Sequence, residues 1–281
     1  MQRSSDSLTR TLRAPNSAGM RVRQAQARRL LPRLVLMACL AALAVSQAFL
    51  PSAQAGAGPC RVPSNAYPTI QAAVNDATCA TINVAAGTYT EHVTIARDVT
   101  IRGAGQDSTV IDGGGSGTVL TVASGTVTLR SVTIQHGARA TESSGRHGGG
   151  IWNAGSLTVE NSTVADNEAF FGGGIWNEGT LTVRNSTFSG NSAFSSGGGI
   201  DNRGTVIVEN STVAGNRANN NGGGIYNSGT LTVEDSTVAD NSAFFGGGGG
   251  IFNFDGGTVT LTDVTFQTNI PDDCTGCPGL L

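Results

Sequence analysis

The chain has 281 residues, of which 38% are apolar and 13% charged, with 40 glycines, and its length admits one or two domains. Eight of its seventeen basic residues lie within residues 1–33 beside a single acid, so the chain after residue 55 carries nine Arg against nineteen Asp and Glu, a formal charge of about −10. A surface that acidic excludes nucleic acid and anionic membrane as partners.

The basic start leads into an apolar run, Leu34 to Leu50, and then into Ala53-Gln54-Ala55. A basic n-region, an apolar core and an A-x-A cleavage site predict a secretory signal peptide over residues 1–55. Met20 is an alternative start that gives a leader of more ordinary length. A membrane anchor is the competing reading, but the run is only about 17 residues, with Ser46 and Gln47 inside it. The run up to Cys39 resembles a lipoprotein box, with too few apolar residues ahead of it. Residues 56–281 then form one domain, secreted or held at the cell surface, with no membrane span after cleavage.

That domain holds Cys60, Cys79, Cys274 and Cys277. An even number in an exported chain implies disulfides, and four cysteines allow three connectivities. The local pairs Cys60–Cys79 and Cys274–Cys277 are expected. A metal site at C-T-G-C would need a second C-x-x-C or a His pair, so neither metal nor cofactor is expected. Between the first two cysteines, Ile70, Ala73, Val74 and Ala77 fall at helical spacing behind Pro68 and Thr69. They predict a short amphipathic helix that covers the open first coil of the domain.

The rest of the domain is a repeat. Ile151, Ile175, Ile200, Ile225 and Ile251 each close a glycine run, at intervals of 24, 25, 25 and 26 residues. Asn153, Asn177, Asn202, Asn227 and Asn253 stand two residues later, and Asn167, Asn191, Asn216, Asn241 and Asn269 close each copy. A fixed period in the twenties marks a solenoid. Leucine-rich repeats share the period but carry a helical half. Here the content is β-branched residues, Gly, Asn, Ser and Thr in alternation, as in "LTVENSTV". The prediction is an all-β, single right-handed parallel β-helix of about eight coils, from Thr81 to Asn269, behind the capping helix. Coils about 4.8 Å apart put each residue against its own copy. Asn is expected to take left-handed corner φ and to bond the next Asn in its ladder. Glu160, Arg184 and Glu209 should alternate in charge along one outward column.

Two stretches resemble known families. "YPTIQAAVNDA", "TINVAAGTYTEHVTIARDVTIRGAGQDSTVIDG" and what lies between them resemble the start of the pectin lyase-like, right-handed parallel β-helix superfamily, including the helix cap of pectin methylesterases. The later copies, with "GGGI" and "FSGN" or "FQTN", are similar to the repeats of polymorphic outer-membrane proteins, with Val often in place of Phe. The resemblance implies the fold. For an enzyme it also implies clustered charge on one outward face: calcium-binding acids and a base in pectate lyases, paired Asp and an Arg in the methylesterases, several Asp and G-H-G in polygalacturonases. None of these motifs stands in this sequence.

Three departures from the repeat are candidates for function. The first is an aromatic column, Trp152, Trp176, Tyr226 and Phe252, expected to face outward as a strip with Trp152 and Trp176 in stacking range, as a surface for flat sugar faces or a partner or as plain ladder stacking that stabilises the solenoid. Asp201 breaks that column and, with Arg203, makes a minimal acid–base pair or a solvated substitution. The second is the loop 135–149, where His136 and His147 flank Arg139, Glu142 and Arg146 as a ligand set or as a solvated insertion. The third is the set Phe170, Phe171, Phe194, Phe244 and Phe245, expected to be partly buried near the corners. A Thr column, Thr163 to Thr265, is similar to ice-binding solenoids, but a neighbouring rank of Glu and Arg is expected to spoil it. Asn161, Asn185 and Asn210 match a glycosylation sequon and read better as corners. The leading functional reading is a non-catalytic extracellular or cell-surface binding module, with a polysaccharide or cell-surface glycan as partner. A polysaccharide-active enzyme, lyase or esterase, is the alternative.

Overall fold

A computed structural model describes residues 60–138 and 147–278. The expected parallel β-helix is there. Each full coil runs through three faces, as in Ser156–Glu160, Thr163–Ala165 and Ile175–Asn177. The first face is a nine-stranded parallel sheet, from Cys60–Val62 to Thr258–Thr262. The second and third faces have eight strands each, and a small fourth sheet of two-residue strands, such as Glu168–Ala169, fills the corner between them. Register is strict: Leu157 stands on Leu181, Val164 on Phe188 and Ile151 on Ile175. Alternation puts those residues inside and Thr, Glu and Arg outside, so one continuous apolar core runs the length of the stack.

The polar ladders divide their work differently from expectation. Asn153 Nδ2 donates to Asn177 Oδ1 at 2.7 Å, Asn177 to Asn202 at 2.9 Å and Asn202 to Asn227 at 2.7 Å. Asn167, Asn191, Asn216, Asn241 and Asn269 form a second buried ladder with bonds of 2.9–3.0 Å. These Asn do not take the left-handed φ. That falls to Asn161, Asn185, Asn210 and Asp235 at one corner, near +48°, and to Asp166 and Asp240 at the next. A ladder Asn must aim its amide along the stack, and the turn before it takes the unusual backbone. Ser162, Ser186, Ser211 and Ser236 add a third buried ladder, each backbone N–H donating to the next Oγ.

On the surface Arg130 pairs with Glu160, and Arg184 Nε with Glu209 Oε2 at 2.7 Å. The neighbours of the Thr163–Thr265 column differ from expectation. They are Ala165, Ser189, Ala214 and Ala239 on the same face, because the Glu and Arg ranks belong to the first face, across a corner.

The capping helix is Ile70–Asn75, with Thr69 Oγ1 accepting from Ala72 N. Ile70, Ala73 and Val74 are buried, while Ala77 lies past the helix end and is exposed. The first coil supplies both ends of the cap. The Glu91 carboxylate accepts from the N–H of Ile70 and Gln71, and Arg97 donates to the carbonyls of Ala73, Val74, Asp76 and Cys79. Each charge meets the helix end of opposite polarity. Both expected disulfides are present, Cys60–Cys79 and Cys274–Cys277.

Candidate functional site

The third face carries the aromatic column. Trp152, Trp176, Asp201, Tyr226 and Phe252 are Cα partners in successive coils. Each sits one residue after an inward Ile, and each Ile comes after a run of glycines that turns the chain into the strand. Gly197 shows why the run is glycine. It has φ +67°, and an added Cβ would lie 2.7 Å from the Cβ of Asp201. The corner can therefore lie directly on the column.

That closeness changes the column. Its members alternate outward, yet Trp176 is only 2% exposed and Asp201 is 0% exposed. The expected open strip is therefore interrupted at its centre. His147 covers the Trp176 ring at 4.0 Å, Phe171 flanks it at 5.6 Å, and the Arg203 guanidinium lies over it at 4.2 Å. Asp201 is no solvated substitution. Ser196 Oγ donates to its Oδ2 at 2.7 Å, while Oδ1 has no hydrogen bond and stands 3.7 Å from Arg203 Nε. Trp176 Nε1 is likewise buried without a hydrogen bond. Burial pushes the Asp201 carboxyl up to about 7, against the pull of Ser196 and Arg203.

The outer part of the column stays accessible. Tyr226 and Phe252 stack at 5.6 Å and 9°, and half-exposed Phe254 joins them at 6.2 Å from Tyr226. Trp152 is half-buried, and its Nε1 donates to Glu178 at 3.2 Å. Before the glycine runs, Phe194, Phe244 and Phe245 are far more open than expected, at 64%, 58% and 86% exposed. Phe170 packs on Phe194 at 5.2 Å, and Arg217 lies over Phe244.

The two histidines of the loop go to different partners. His147 lies on Trp176, whereas His136 Nδ1 is 2.9 Å from Asp112 Oδ2. Asp112 also accepts from Gln135 Nε2 and from Gly114 N, and these bonds hold its carboxyl below the usual range despite some burial. Asp112 and His136 line a cavity of about 240 Å³ together with Gly114, Gly115, Gly137, Ala138, Asp166 and Glu168. Arg139, Glu142 and Arg146 lie outside the described residues. Among the described residues no three His, Cys, Asp or Glu converge as a metal site would require.

Residues 82–270 match the family model of the right-handed beta helix region. The chain belongs to that right-handed β-helix family. No curated protein matches it. Among solved structures it is similar to the pectin methylesterase from Aspergillus niger in deglycosylated form, at 14% identity over 81% of this chain and 92% of that one, with a TM-score of 0.47. The carrot pectin methylesterase matches at 14% over 80% and 88%, with a TM-score of 0.43. The rice weevil pectin methyl esterase matches at 14% over 77% and 88%, with a TM-score of 0.40.

Within this β-helix the sequence pattern locates the column but not its surroundings, and it passes over Ser196, Phe254 and Asp112. Ser196 sits five residues before Asp201 across the glycine run, where the repeat gives no signal, and Asp112 stands one coil before His136, in the early coils where the period is loose. Phe254 does carry a signal, an aromatic two residues after Phe252 at the one copy where the corner lengthens to "FDGG".

Proposed function

We propose that this β-helix is exported by its leader and works, secreted or at the cell surface, as a non-catalytic binding module whose aromatic surface takes carbohydrate. The supporting observation is the parallel Tyr226–Phe252 stack, extended by Phe254 and set in the same coils as the open rings of Phe244 and Phe245. Flat C–H faces of sugars stack on such rings, and neutral stacking suits a chain whose net charge is strongly negative. Asp201, the one charged member of the column, is sealed from solvent and so does not reach a polymer.

The test is a glycan array probed with purified residues 56–281, followed by affinity electrophoresis on the best ligand. The Tyr226→Ala/Phe252→Ala double variant should keep its β-rich circular dichroism. It should lose about 1–3 kcal/mol of affinity, by analogy with bases stacking on aromatics. An array without a binder, or unchanged affinity in the double variant, refutes the reading. N-terminal sequencing of the exported chain should begin at Gly56.

A second reading, a polysaccharide-active enzyme, finds its support in the His136–Asp112 pair. Asp112 orients the imidazole at the edge of the cavity it shares with Asp166 and Glu168. Release of unsaturated or de-esterified product from a pectin-like polymer by the wild type, abolished in His136→Ala, would install this reading over the first.

A further inference from the structure

The sealed centre of the column has a feature that packing alone does not require. A carboxyl and an indole N–H lie in adjacent coils at the same register, both buried and each with a polar atom left without a hydrogen bond. One cation touches both. Arg203 stacks on the Trp176 ring at 4.2 Å and holds its Nε 3.7 Å from Asp201 Oδ1, roughly half an ångström beyond hydrogen-bond distance. The guanidinium is thus poised between a cation–π contact and an ion pair. Half of the Arg203 side chain is in solvent, so it can shift without opening the core.

We propose that Asp201 and Arg203 form a proton-operated latch on Trp176: with the carboxyl protonated the guanidinium lies over the indole, and with the carboxyl ionised it is drawn off the ring into a direct ion pair. A buried carboxylate with one unsatisfied oxygen costs several kcal/mol unless a charge or a donor meets it. Among the described residues, Arg203 is the cation within ion-pair distance of it.

The groups around Asp201 frame the titration. Directly after its own strand, Ile200–Asn202, comes Arg203. On the strand before it lies Trp176, covered by His147. On the strand after it lies Tyr226, whose phenol is pushed up first by burial and then by the Asp201 charge. From the corner above comes Ser196, bound to the other carboxyl oxygen. Glu178 occupies the position one coil before Arg203 and is engaged by Trp152. Among the described residues, His147 is the other ionisable side chain stacked on the indole, and its contribution is separated by substitution. The latch stands independently of what the surface binds.

The chain has two tryptophans, so Trp152→Phe leaves Trp176 as the sole reporter. Its emission is followed from pH 4.5 to 9 in that background, with circular dichroism at each pH. The expected result is one sigmoidal step with a midpoint near 7. The step should vanish in Asp201→Asn, lose most of its amplitude in Arg203→Met, and survive in His147→Gln. A flat profile in the parent overturns the latch. So does a step that persists in Asp201→Asn, or one that disappears in His147→Gln and so belongs to the imidazole. Should Asp201→Asn fail to fold, the Arg203→Met and His147→Gln arms decide, because an unchanged step in Arg203→Met also overturns it.

Discussion

The two ends of the stack are finished in different ways. At the first coil a helix lies over the core, its N-terminus held by Glu91 and its C-terminal carbonyls gathered by Arg97, with Cys60–Cys79 tying the entry strand to the chain that leaves the helix. At the last described coil Leu261, Val264 and Phe266 occupy inward positions yet are only half-buried, and the Cys274–Cys277 disulfide spans three residues beyond them. Acids stand around this open end: Asp255, Asp263, Asp272 and Asp273. A solenoid core is the same at every level, so the ends differ only in what covers the outermost strand. One is shielded by apolar cover and the other by charge beside an exposed edge. The lesson is that stability in this fold is not spread evenly even though the repeat is.

The middle of the stack supplies a reference that should move the opposite way from both ends. Asp201 has a folded pKa of about 7, above its unfolded value of 3.8, so its contribution is fully present below pH 4 and is lost as pH rises to 7. Asp201→Asn should therefore stabilise the protein at pH 7.5 by at most about 4 kcal/mol and by almost nothing at pH 4. Urea unfolding at the two pH values checks it, and an equal effect at both would contradict the buried-acid account. Arg97→Met should cost about 3 kcal/mol, because it leaves helix carbonyls unpaired under the cap. The surface pair Arg184–Glu209 in the repeat should cost less than about 1 kcal/mol when broken. Removing Cys60–Cys79 should cost about 3 kcal/mol for a loop of 19 residues, against about 2 for the span of three at Cys274–Cys277. Equal losses in thermal unfolding would erase the difference between the ends. Asn202→Ala in mid-ladder should cost about 2 kcal/mol, since it strips a buried partner from Asn177 and Asn227. Asn253→Ala, at the half-buried end of the same ladder, should cost about 0.5 kcal/mol. A flat profile along the ladder would show that the coils share its loss cooperatively.

Much of the fold was legible because a solenoid repeats its instructions. Five Ile after five glycine runs set the register, and both disulfides and the helix from Ile70 came from local spacing. The site was half legible. The column Trp152–Phe252 and its break at Asp201 could be read, but three Phe expected to be half-buried are open, and Trp176, expected to be open, is shut. Exposure at a corner depends on how the loop folds back, and identical repeats carry no record of that. Asn161, read as a corner, does take the left-handed φ, whereas the ladder Asn do not, and Asp166 at the next corner carried no sequence signal for it.

The sequence by itself determined the period, the inward columns, the ladders and the disulfide partners, because each is a relation between a residue and its own copy one coil away or a near neighbour along the chain. Only the tertiary structure decided that Asp201 is buried beneath Ser196 and Gly197, that Arg203 turns inward over Trp176, and that His136 meets Asp112. The repeat sets His136 near Asp112 and Arg203 near Trp176, one coil apart, but which atoms meet and how deeply they are buried depends on how side chains turn and how the corners fold back, and no spacing along the chain records that.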